Sequence, residues 1–360
     1  MNLLTADELV DKIKQGEIIE KINLQNISLT GRDLSGGIFR EVDFSGADLS
    51  HTVIKESVFT QCRAEGSTFD SAVIEQNIFE QCDFRQTTFN NCTLINNTFN
   101  QSVLKKTQFT ATKLNDTQFS SCSLQYADFS HSNFDQVIFL DSPVNQTKFS
   151  HSHLFRVTFF CQDLQAIDFT ASEFTKVVFF ECDLRNQNFH KQTFKECQFT
   201  NSQLEKVNFN HAILANCNFK GSVLQDALLS NVNATQALFM EADLTRACCK
   251  NSLFEQAIFI GACLESADFR YSKLPLAIMH KVHAVNSQFT GCDMTYTDLS
   301  YANVNHSDFR TAHFMRTLFH RAQQVGALFS DRQGILENDP ELFAAEEWSM
   351  QHNNTQHNKI

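Results

Sequence analysis

The sequence is poor in the residues and motifs that build catalytic sites. It holds three prolines and eleven glycines in 360 residues. No glycine-rich phosphate loop, G-x-S-x-G elbow or H-E-x-x-H run occurs. Aspartate is frequent, but it recurs periodically beside large apolar residues rather than as an isolated acid/base pair. The sequence therefore indicates no enzyme, no cofactor and no metal centre.

Charge and targeting signals also exclude classes of protein. No basic segment precedes a short apolar run, so we expect no secretory signal peptide, and twelve cysteines then favour a reducing cytoplasm. The formal charge is −12, but the ends hold eleven of the acidic residues, and the chain between them has 30 acidic and 24 basic residues. We expect so weakly acidic a chain to bind neither nucleic acid nor membranes directly.

What the sequence has in abundance is phenylalanine and leucine at every fifth position. From Leu24 to Phe319, 60 positions follow this interval without a break, and 50 of them are Leu or Phe. Neither an α-helix nor a simple strand produces an interval of five that lasts for about 300 residues. Self-similarity of this kind is typical of a solenoid.

A second column, of small residues, accompanies the first. Two residues before the large one, most repeats carry Ala, Ser, Thr or Cys, as at Ala47 and Ala267. Residues i and i−2 of an extended segment point the same way, so the large and small residues share an inward face. Eight cysteines fall on this column and are expected to be buried as small hydrophobes: Cys62, Cys82, Cys92, Cys122, Cys182, Cys197, Cys217 and Cys292.

The phenylalanines indicate how many repeats make one turn. One unbroken run at spacing 20 extends from Phe39 to Phe259, and a second extends from Phe69 to Phe209. Like residues at every fourth repeat predict four short sides per coil, with rings stacked from coil to coil. Sixty repeats then predict a rod of about 15 coils.

The motif small–Asp/Asn–Leu/Phe–polar–polar, as in Ala47-Asp48-Leu49-Ser50, resembles the pentapeptide-repeat proteins. The resemblance covers about residues 22–329 and implies an all-β, right-handed quadrilateral β-helix. The start of the array, Leu29-Thr30-Gly31-Arg32-Asp33-Leu34, is also similar to pentapeptide-repeat proteins associated with type VI secretion. A solenoid is a framework on which sites are built, so the fold alone does not define a function.

The predicted organisation has four parts around one elongated domain. These are an N-terminal capping helix in residues 1–21, the β-helix in 22–329, a C-terminal capping helix in 330–350 and a disordered tail in 351–360.

Both ends carry helix signals. Thr5 and Glu8 form a candidate capping box, and Asp339-Pro340 is typical of a helix start. We expect Leu342, Phe343 and Trp348 to plug the last coil. Between the ends, the segment from Pro275 to His283 departs most from the repeat and predicts a distorted coil.

Some inward positions carry amides. Asn77 and Asn97 are 20 residues apart and predict a stacked ladder bonded to backbone carbonyls. The same interpretation applies to Gln162, Gln187 and Gln192.

Histidines and cysteines that could bind a metal are not accompanied by a ligand set. His131 and His151 lie 20 residues apart in an outward column with His51 and His211, and we interpret them as solvated. The pair Cys248-Cys249 lacks a metal-finger spacing to His280 and His283.

Apolar residues at outward positions give the main indication of function. The array has three phenylalanines off the five-residue interval, and the positions flanking one Phe column are often apolar. This pattern predicts an outward apolar stripe, densest at 138–180 and 238–278, which is typical of a protein interface. The alternatives are a covering loop, or flanks that turn partly inward at the corners. The predicted interface residues are Ile138, Leu140, Phe155, Phe160, Val178, Phe180, Leu238, Met240, Ile258 and Ile260.

We therefore interpret the chain as a non-enzymatic bacterial protein that binds other proteins through its lateral faces. It would act as a scaffold, an adaptor or a secretion-system accessory, and the stripe could also join two copies into a homodimer. The resemblance leaves two alternatives open. One is a DNA-mimicking protector of a type II topoisomerase such as DNA gyrase, which needs a concentrated acidic face. The other is a secreted effector, which needs an export signal.

Overall fold

The computed structural model describes the backbone of residues 4–356 and the side chains of residues 4–349. This part of the chain forms two compact units. The first comprises Met1–Gln187 and Gln192–Leu204, and the second comprises Asn188–Lys191 and Glu205–Ile360. No helix among the described residues combines the length and the apolar character needed to cross a bilayer.

The first unit begins with helix α1, Ala6–Lys14. The predicted capping box is confirmed: the Thr5 side chain accepts a hydrogen bond from Glu8 N, and the Glu8 carboxylate accepts one from Thr5 N at 2.8 Å. Leu9 and Ile13 form the buried face of the helix, which packs on the first strand. The helix therefore covers strand edges that would otherwise be open.

Short parallel strands follow, two for each coil. In chain order they are β1 (Ile18–Glu20), β2 (Ile38–Arg40), β3 (Val53–Lys55), β4 (Val58–Thr60), β5 (Val73–Glu75), β6 (Ile78–Glu80), β7 (Thr93–Ile95), β8 (Thr98–Asn100), β9 (Lys113–Asn115), β10 (Gln118–Ser120), β11 (Asn133–Asp135), β12 (Ile138–Leu140), β13 (His153–Phe155), β14 (Thr158–Phe160), β15 (Glu173–Thr175), β16 (Val178–Phe180) and β17 (Phe194–Lys195).

These strands form two sheets on adjacent sides of the coils. Sheet A has the order β1-β2-β4-β6-β8-β10-β12-β14-β16, and sheet B has the order β17-β15-β13-β11-β9-β7-β5-β3. Isolated parallel bridges such as Asp43↔Arg63 and Asp48↔Thr68 hold the other two sides, again at spacing 20. Each coil therefore has the four sides that the sequence predicts.

The array starts earlier than the sequence suggests. Strand β1 pairs in register with β2, so that Ile19 faces Phe39 and is itself buried. Ile19 lies five residues before Leu24 and is therefore the preceding member of the inward column. The first coil therefore lies inside residues 1–21, which were predicted to hold the capping helix alone.

The interior is filled as the interval predicts. All 60 positions from Leu24 to Phe319 are buried. Rings at spacing 20 stack nearly parallel, as in Phe109–Phe129 at 4.5 Å and 4°. Rings on different sides of the coils meet edge to face, as in Phe84–Phe89 on neighbouring sides at 63° and Phe109–Phe119 on opposite sides at 79°. Both geometries are favourable for aromatic pairs. The coils are therefore stabilised by the burial of apolar area and also by the orientation of the rings.

The corners between sides have left-handed backbone. Most are not glycine: Gln61, His131 and Asn251 have φ of 54°, 61° and 53°. A non-glycine residue there costs about 1–2 kcal/mol. The corner N–H donates to a carbonyl of the next coil, as from Gln61 N to Glu80 O at 2.9 Å, so stacking of the coils holds the corner in place.

The second unit repeats the same coil with isolated bridges at spacing 20, from Asn188↔Asn208 to Asp308↔Leu328. The segment Pro275–His283 keeps these bridges, as in Ile258↔Ile278, so the prediction of a distorted coil there is wrong. Proline lies at an outward position whose carbonyl still accepts a bond from Gln256 N at 3.0 Å.

The last coil contains fewer residues than the others. Strand β18 (Thr317–Leu318) pairs with β19 (Ile335–Leu336) at a spacing of 18 rather than 20. Gly334 permits this approach, because at its φ of +87° an added Cβ would lie 2.2 Å from Phe314 O. Helix α2, Pro340–Gln356, follows. The fold is thus a parallel β-solenoid of about 16 turns with two helices, which confirms the predicted quadrilateral β-helix.

Helix α2 differs from its prediction in extent and in position. It continues past residue 350, so the backbone of residues 351–356 is helical where a disordered tail was predicted, and residues 357–360 lie outside the described part. Leu342 and Trp348 are largely exposed and do not plug the last coil. Phe343 instead packs beside His320 and Arg321, on the outside of the coils.

The inward amides form the predicted ladder. Asn77 Nδ2 donates to Ile54 O at 2.8 Å and to Asn97 Oδ1 at 3.0 Å, and Asn97 Nδ2 donates to Ile74 O at 2.8 Å. The side chains of Gln162, Gln187 and Gln192 likewise donate to backbone carbonyls. These groups are structural, since their donors are used within the coils.

The cysteine column is buried as predicted. All twelve cysteines are free, and all eight of the predicted inward cysteines are buried, together with Cys249. Burial raises the pKa of Cys92, Cys182, Cys197 and Cys292 to about 12 and that of Cys122 to about 11. A thiol held protonated in a closed interior is a poor nucleophile.

We predict that the native protein shows three classes of thiol towards Ellman's reagent at about pH 8. Exposed Cys161 should react first, half-buried Cys248 and Cys263 more slowly, and the nine buried cysteines only after unfolding. Mass spectrometry of the labelled peptides identifies each site. Labelling of the buried cysteines at the rate of Cys161 would contradict the closed coil interior.

Candidate functional site

Sheet A carries the first group of predicted interface residues. Ile138 and Leu140 flank the inward residue of β12, Phe160 follows that of β14, and Val178 and Phe180 flank that of β16. We call these five residues the first patch. Because the strands pair in register, Leu140, Phe160 and Phe180 form one outward column, and the two phenyl rings stack at 5.3 Å.

The first patch is exposed to different degrees. Ile138 is 41% and Phe160 is 38% exposed, and the other three residues are half-buried by their neighbours in the column. Ile138 and Phe160 are therefore open to solvent, whereas the other three residues are partly shielded. Contiguous apolar side chains on a sheet face are a surface that a partner could cover.

Phe155 lies apart from the first patch. It belongs to β13 in sheet B, between Asp135 and Thr175 of the neighbouring strands. The Arg156 guanidinium lies 4.5 Å from its ring centre and also bonds to Asp135. The structure therefore does not join Phe155 to the other predicted residues, and its ring has a cation–π partner already.

The other predicted residues form a second group in the second unit. Leu238, Met240, Ile258 and Ile260 flank two successive Phe positions, with Leu238 and Ile258 paired in a bridge. Ile260 is 37% exposed and the others are half-buried. Ile278, bridged to Ile258, extends this surface by one coil and is exposed. We call these five residues the second patch.

The contacts of α2 on this same side of the coils were not predicted from the sequence. The Glu346 carboxylate accepts hydrogen bonds from the Tyr301 hydroxyl and from Arg321 Nε, and it lies 3.2 Å from His320 Nε2. His320 is almost fully buried. The five-residue interval does not extend into α2, so it could not predict these contacts. The one signal in the sequence is a basic pair that recurs forty residues apart, as His280-Lys281 and His320-Arg321.

A cavity of about 510 Å³ lies where α2 begins. It is lined by Ser300, Leu318, His320, Leu336 and residues 338–342. His320 Nδ1 accepts a bond from Asp339 N at 3.3 Å, while its Nε2 faces Glu346. Both ring nitrogens are thus engaged, so the ring has no free lone pair with which to activate the Ser300 hydroxyl.

The histidine column shows stacking rather than metal binding. The rings of His131 and His151 lie parallel at 4.9 Å. Among the described residues, no group of three or more His, Cys, Asp or Glu side chains is arranged to hold a metal ion. Stacked rings on a solvated column supply too few ligands for a structural site.

Carboxylates of the coils are neutralised locally. Asp308 accepts a bidentate bond from the Arg310 side chain, which lowers the pKa of Asp308. Asp226 is bonded to Arg246 in the next coil, and this also lowers its pKa. The same Asp-x-Arg pairing occurs at Asp83-Arg85, Asp183-Arg185 and Asp268-Arg270. The charge of these five aspartates is therefore neutralised by a neighbouring arginine.

Comparison with known proteins identifies repeats along most of the chain. The family model described as "Pentapeptide repeat region" matches residues 32–109, 72–139 and 114–189. The model described as "Pentapeptide repeats (8 copies)" matches residues 172–211, 202–239, 237–274 and 277–331. No curated protein matches the sequence.

Solved structures with a related coil also match, at low similarity. A trypsin-treated variant of QnrB1, a plasmid-mediated fluoroquinolone resistance protein, is 16% identical, with 67% of this chain and 92% of that chain covered and a TM-score of 0.30. HetL, a protein involved in heterocyst differentiation regulation in the cyanobacterium Nostoc sp., is 20% identical over 73% and 96% of the chains, with a TM-score of 0.22. Such scores carry no argument about the function of this chain.

We predict that the Asp-x-Arg pairs make stability fall in acid. A carboxyl group whose native pKa is lowered stabilises the fold above its unfolded pKa of about 3.9, and this contribution is lost as the pH falls through the native value. In Arg310→Leu, Asp308 loses its partner, so the drop in urea midpoint between about pH 6 and pH 3 should be smaller than in the unmodified protein.

Arg40→Leu is the matched control, because Arg40 is exposed and has no ion pair among the described residues. Its acid-dependent drop should equal that of the unmodified protein. An equal drop in Arg310→Leu would contradict a lowered native pKa for Asp308.

Proposed function

Since the chain belongs to the pentapeptide-repeat family, we propose that it is a non-enzymatic protein-binding protein that acts through the outward faces of its coils. The observation that carries this proposal is the first patch, an outward apolar surface of five residues on one sheet. The proposed role is that of a scaffold or adaptor in a bacterial cytoplasm. One version of this proposed role is that of an accessory protein of a secretion system.

The surroundings of the first patch support protein binding. Every outward residue that flanks the inward position in β8, β10, β12, β14 and β16 is uncharged: Thr98, Asn100, Gln118, Ser120, Ile138, Leu140, Thr158, Phe160, Val178 and Phe180. An apolar centre with an uncharged polar border matches the usual anatomy of an interface. A partner that covers the first patch removes apolar area from water without burying an unpaired charge.

A second copy of the chain is the first partner to test. The same patch on two copies can pair about a two-fold axis, which would make the proposed homodimer isologous. Sedimentation measures this directly. A different protein on the same patch gives the adaptor role instead, and capture from the native host identifies it.

Two alternatives drawn from the family stand beside this proposal. A DNA mimic needs a concentrated acidic face, whereas Asp83, Asp183, Asp268 and Asp308 are each paired with an arginine two residues on. A secreted effector needs an export signal. An assay of DNA gyrase supercoiling with added protein tests the first alternative.

We predict that Phe160→Asp with Phe180→Asp abolishes partner binding and any self-association. Two carboxylates in the outward column would have to be desolvated on docking, which costs several kcal/mol. Pull-down from the native host and sedimentation velocity of the purified protein are the two measurements.

Phe155→Asp is the control, because it places a carboxylate at an outward phenylalanine of sheet B instead of sheet A. It should leave both measurements unchanged, with unaltered circular dichroism in both variants. If the double variant keeps its sedimentation coefficient and all of its partners, the first patch is not the binding surface.

A further inference from the structure

The chain itself shows what the apolar side of the second unit recognises. Helix α2 lies on the outside of the coils that hold Ser300, Tyr301, His320 and Arg321. It makes this contact through two side chains one helical turn apart. Phe343 packs on the Arg321 guanidinium at 4.1 Å, and Glu346 bonds to Tyr301, His320 and Arg321.

Part of this receiving set recurs two coils earlier, where no helix lies among the described residues: the basic pair is kept as His280-Lys281, whereas Ile260 and Gly261 stand in place of Ser300 and Tyr301. His280-Lys281 occupy the positions of His320-Arg321, since residues 40 apart lie in one column of the solenoid. Tyr301 lies between the two sites: its ring contacts His280 at 5.1 Å and His320 at 5.5 Å. Ile278 stands where Leu318 stands in the occupied site.

The earlier site is apolar, and its basic residues have no paired counter-charge: Asp298, which follows Ile278 in the column, is bonded instead to Ser300 N. Ile258, Ile260 and Ile278 of the second patch surround it, and exposed Leu276 precedes it at the corner. Neither His280 nor Lys281 has an ion pair among the described residues. In the occupied site, by contrast, Glu346 supplies that charge to His320 and Arg321.

The spacing of the two sites fits a pair of helices. Two coils correspond to about 9.6 Å, from the inter-strand distance of about 4.8 Å. Packed helices lie about 8–10 Å apart between their axes. The separation of the two sites is therefore wide enough for a second helix to lie beside α2.

We propose that the second patch, with His280 and Lys281, is a docking site for an amphipathic helix of a partner protein that carries an aromatic residue and a glutamate three positions apart. This inference rests on the proposed protein-binding function and names the chemistry of one partner. The helix binds beside α2, with its apolar face on Ile258, Ile260 and Ile278 and its carboxylate on His280 and Lys281. Apolar residues at i, i+3 and i+4 are the usual anchors for a helix in a groove.

The probe is a synthetic peptide of residues 338–356, labelled with fluorescein and titrated with the full chain in fluorescence anisotropy. It carries Phe343 and Glu346 in the required spacing. We expect saturable binding, weakened about tenfold or more by Ile260→Asp or Lys281→Glu in the protein, and by Phe343→Ala or Glu346→Gln in the peptide. Unaltered circular dichroism shows that the protein variants are folded.

Exchange of the peptide with the chain's own α2 is the competing explanation. Arg321→Glu weakens the occupied site and leaves the proposed one intact. If binding responds to Arg321→Glu but not to Ile260→Asp or Lys281→Glu, the peptide has replaced α2 and the proposal is overturned. No saturable binding up to about 1 mM also overturns it.

Phe160→Asp with Phe180→Asp separates this inference from the proposed function. These changes lie in the first unit and should leave peptide affinity unchanged. If the peptide fails to bind while the double variant still loses its host partner in pull-downs, helix docking is wrong and the protein-binding function stands.

Discussion

Every other feature of the fold depends on one large apolar side chain filling each side of each coil. Full burial of a phenylalanine or leucine stabilises the fold by about 1.5–3 kcal/mol, and stacking of like rings adds to this. This term offsets the cost of about 1–2 kcal/mol for each left-handed corner. Because corner N–H groups bond to the next coil, corners such as that at Gln61 form only when the interior has stacked.

The packing of the inward side chains also determines which outward side chains become neighbours. Residues 20 apart become neighbours in a column whatever their own chemistry, because the inward residues fix the pairing of the coils. Phe160 and Phe180 therefore stack on the outside in the same manner as Phe159 and Phe179 do inside. A surface patch in this fold needs only substitutions at spacing 20, with no change to the packing that holds the chain together.

Periodicity decided what could be predicted from the sequence. The buried column, the four sides, the cysteine burial and the Asn77–Asn97 ladder follow from spacing alone, because each repeat contacts only its neighbours. The position of α2 could not be predicted in this way, because the contacts of Glu346 with Tyr301, His320 and Arg321 are not part of the repeat. Phe155 was misplaced for a related reason: the corner at Arg156 turns the chain, and the side that precedes it faces another direction.

The distribution of aspartate favours the side of sheet A for an apolar patch. On the two sides that hold no strand in the first unit, the residue before the inward one is often Asp, as at Asp43 and Asp128, and its carboxylate accepts bonds from the residue two positions on. A partner covering such a side would have to desolvate these carboxylates, at a cost that a contact rarely repays. On the side of sheet A the same position holds Ile, Val, Thr or Gln from Ile18 to Val178. From Ile18 to Val178 this position therefore adds no charge that a partner would have to desolvate, and α2 lies against the corresponding positions Leu318 and His320 of the second unit.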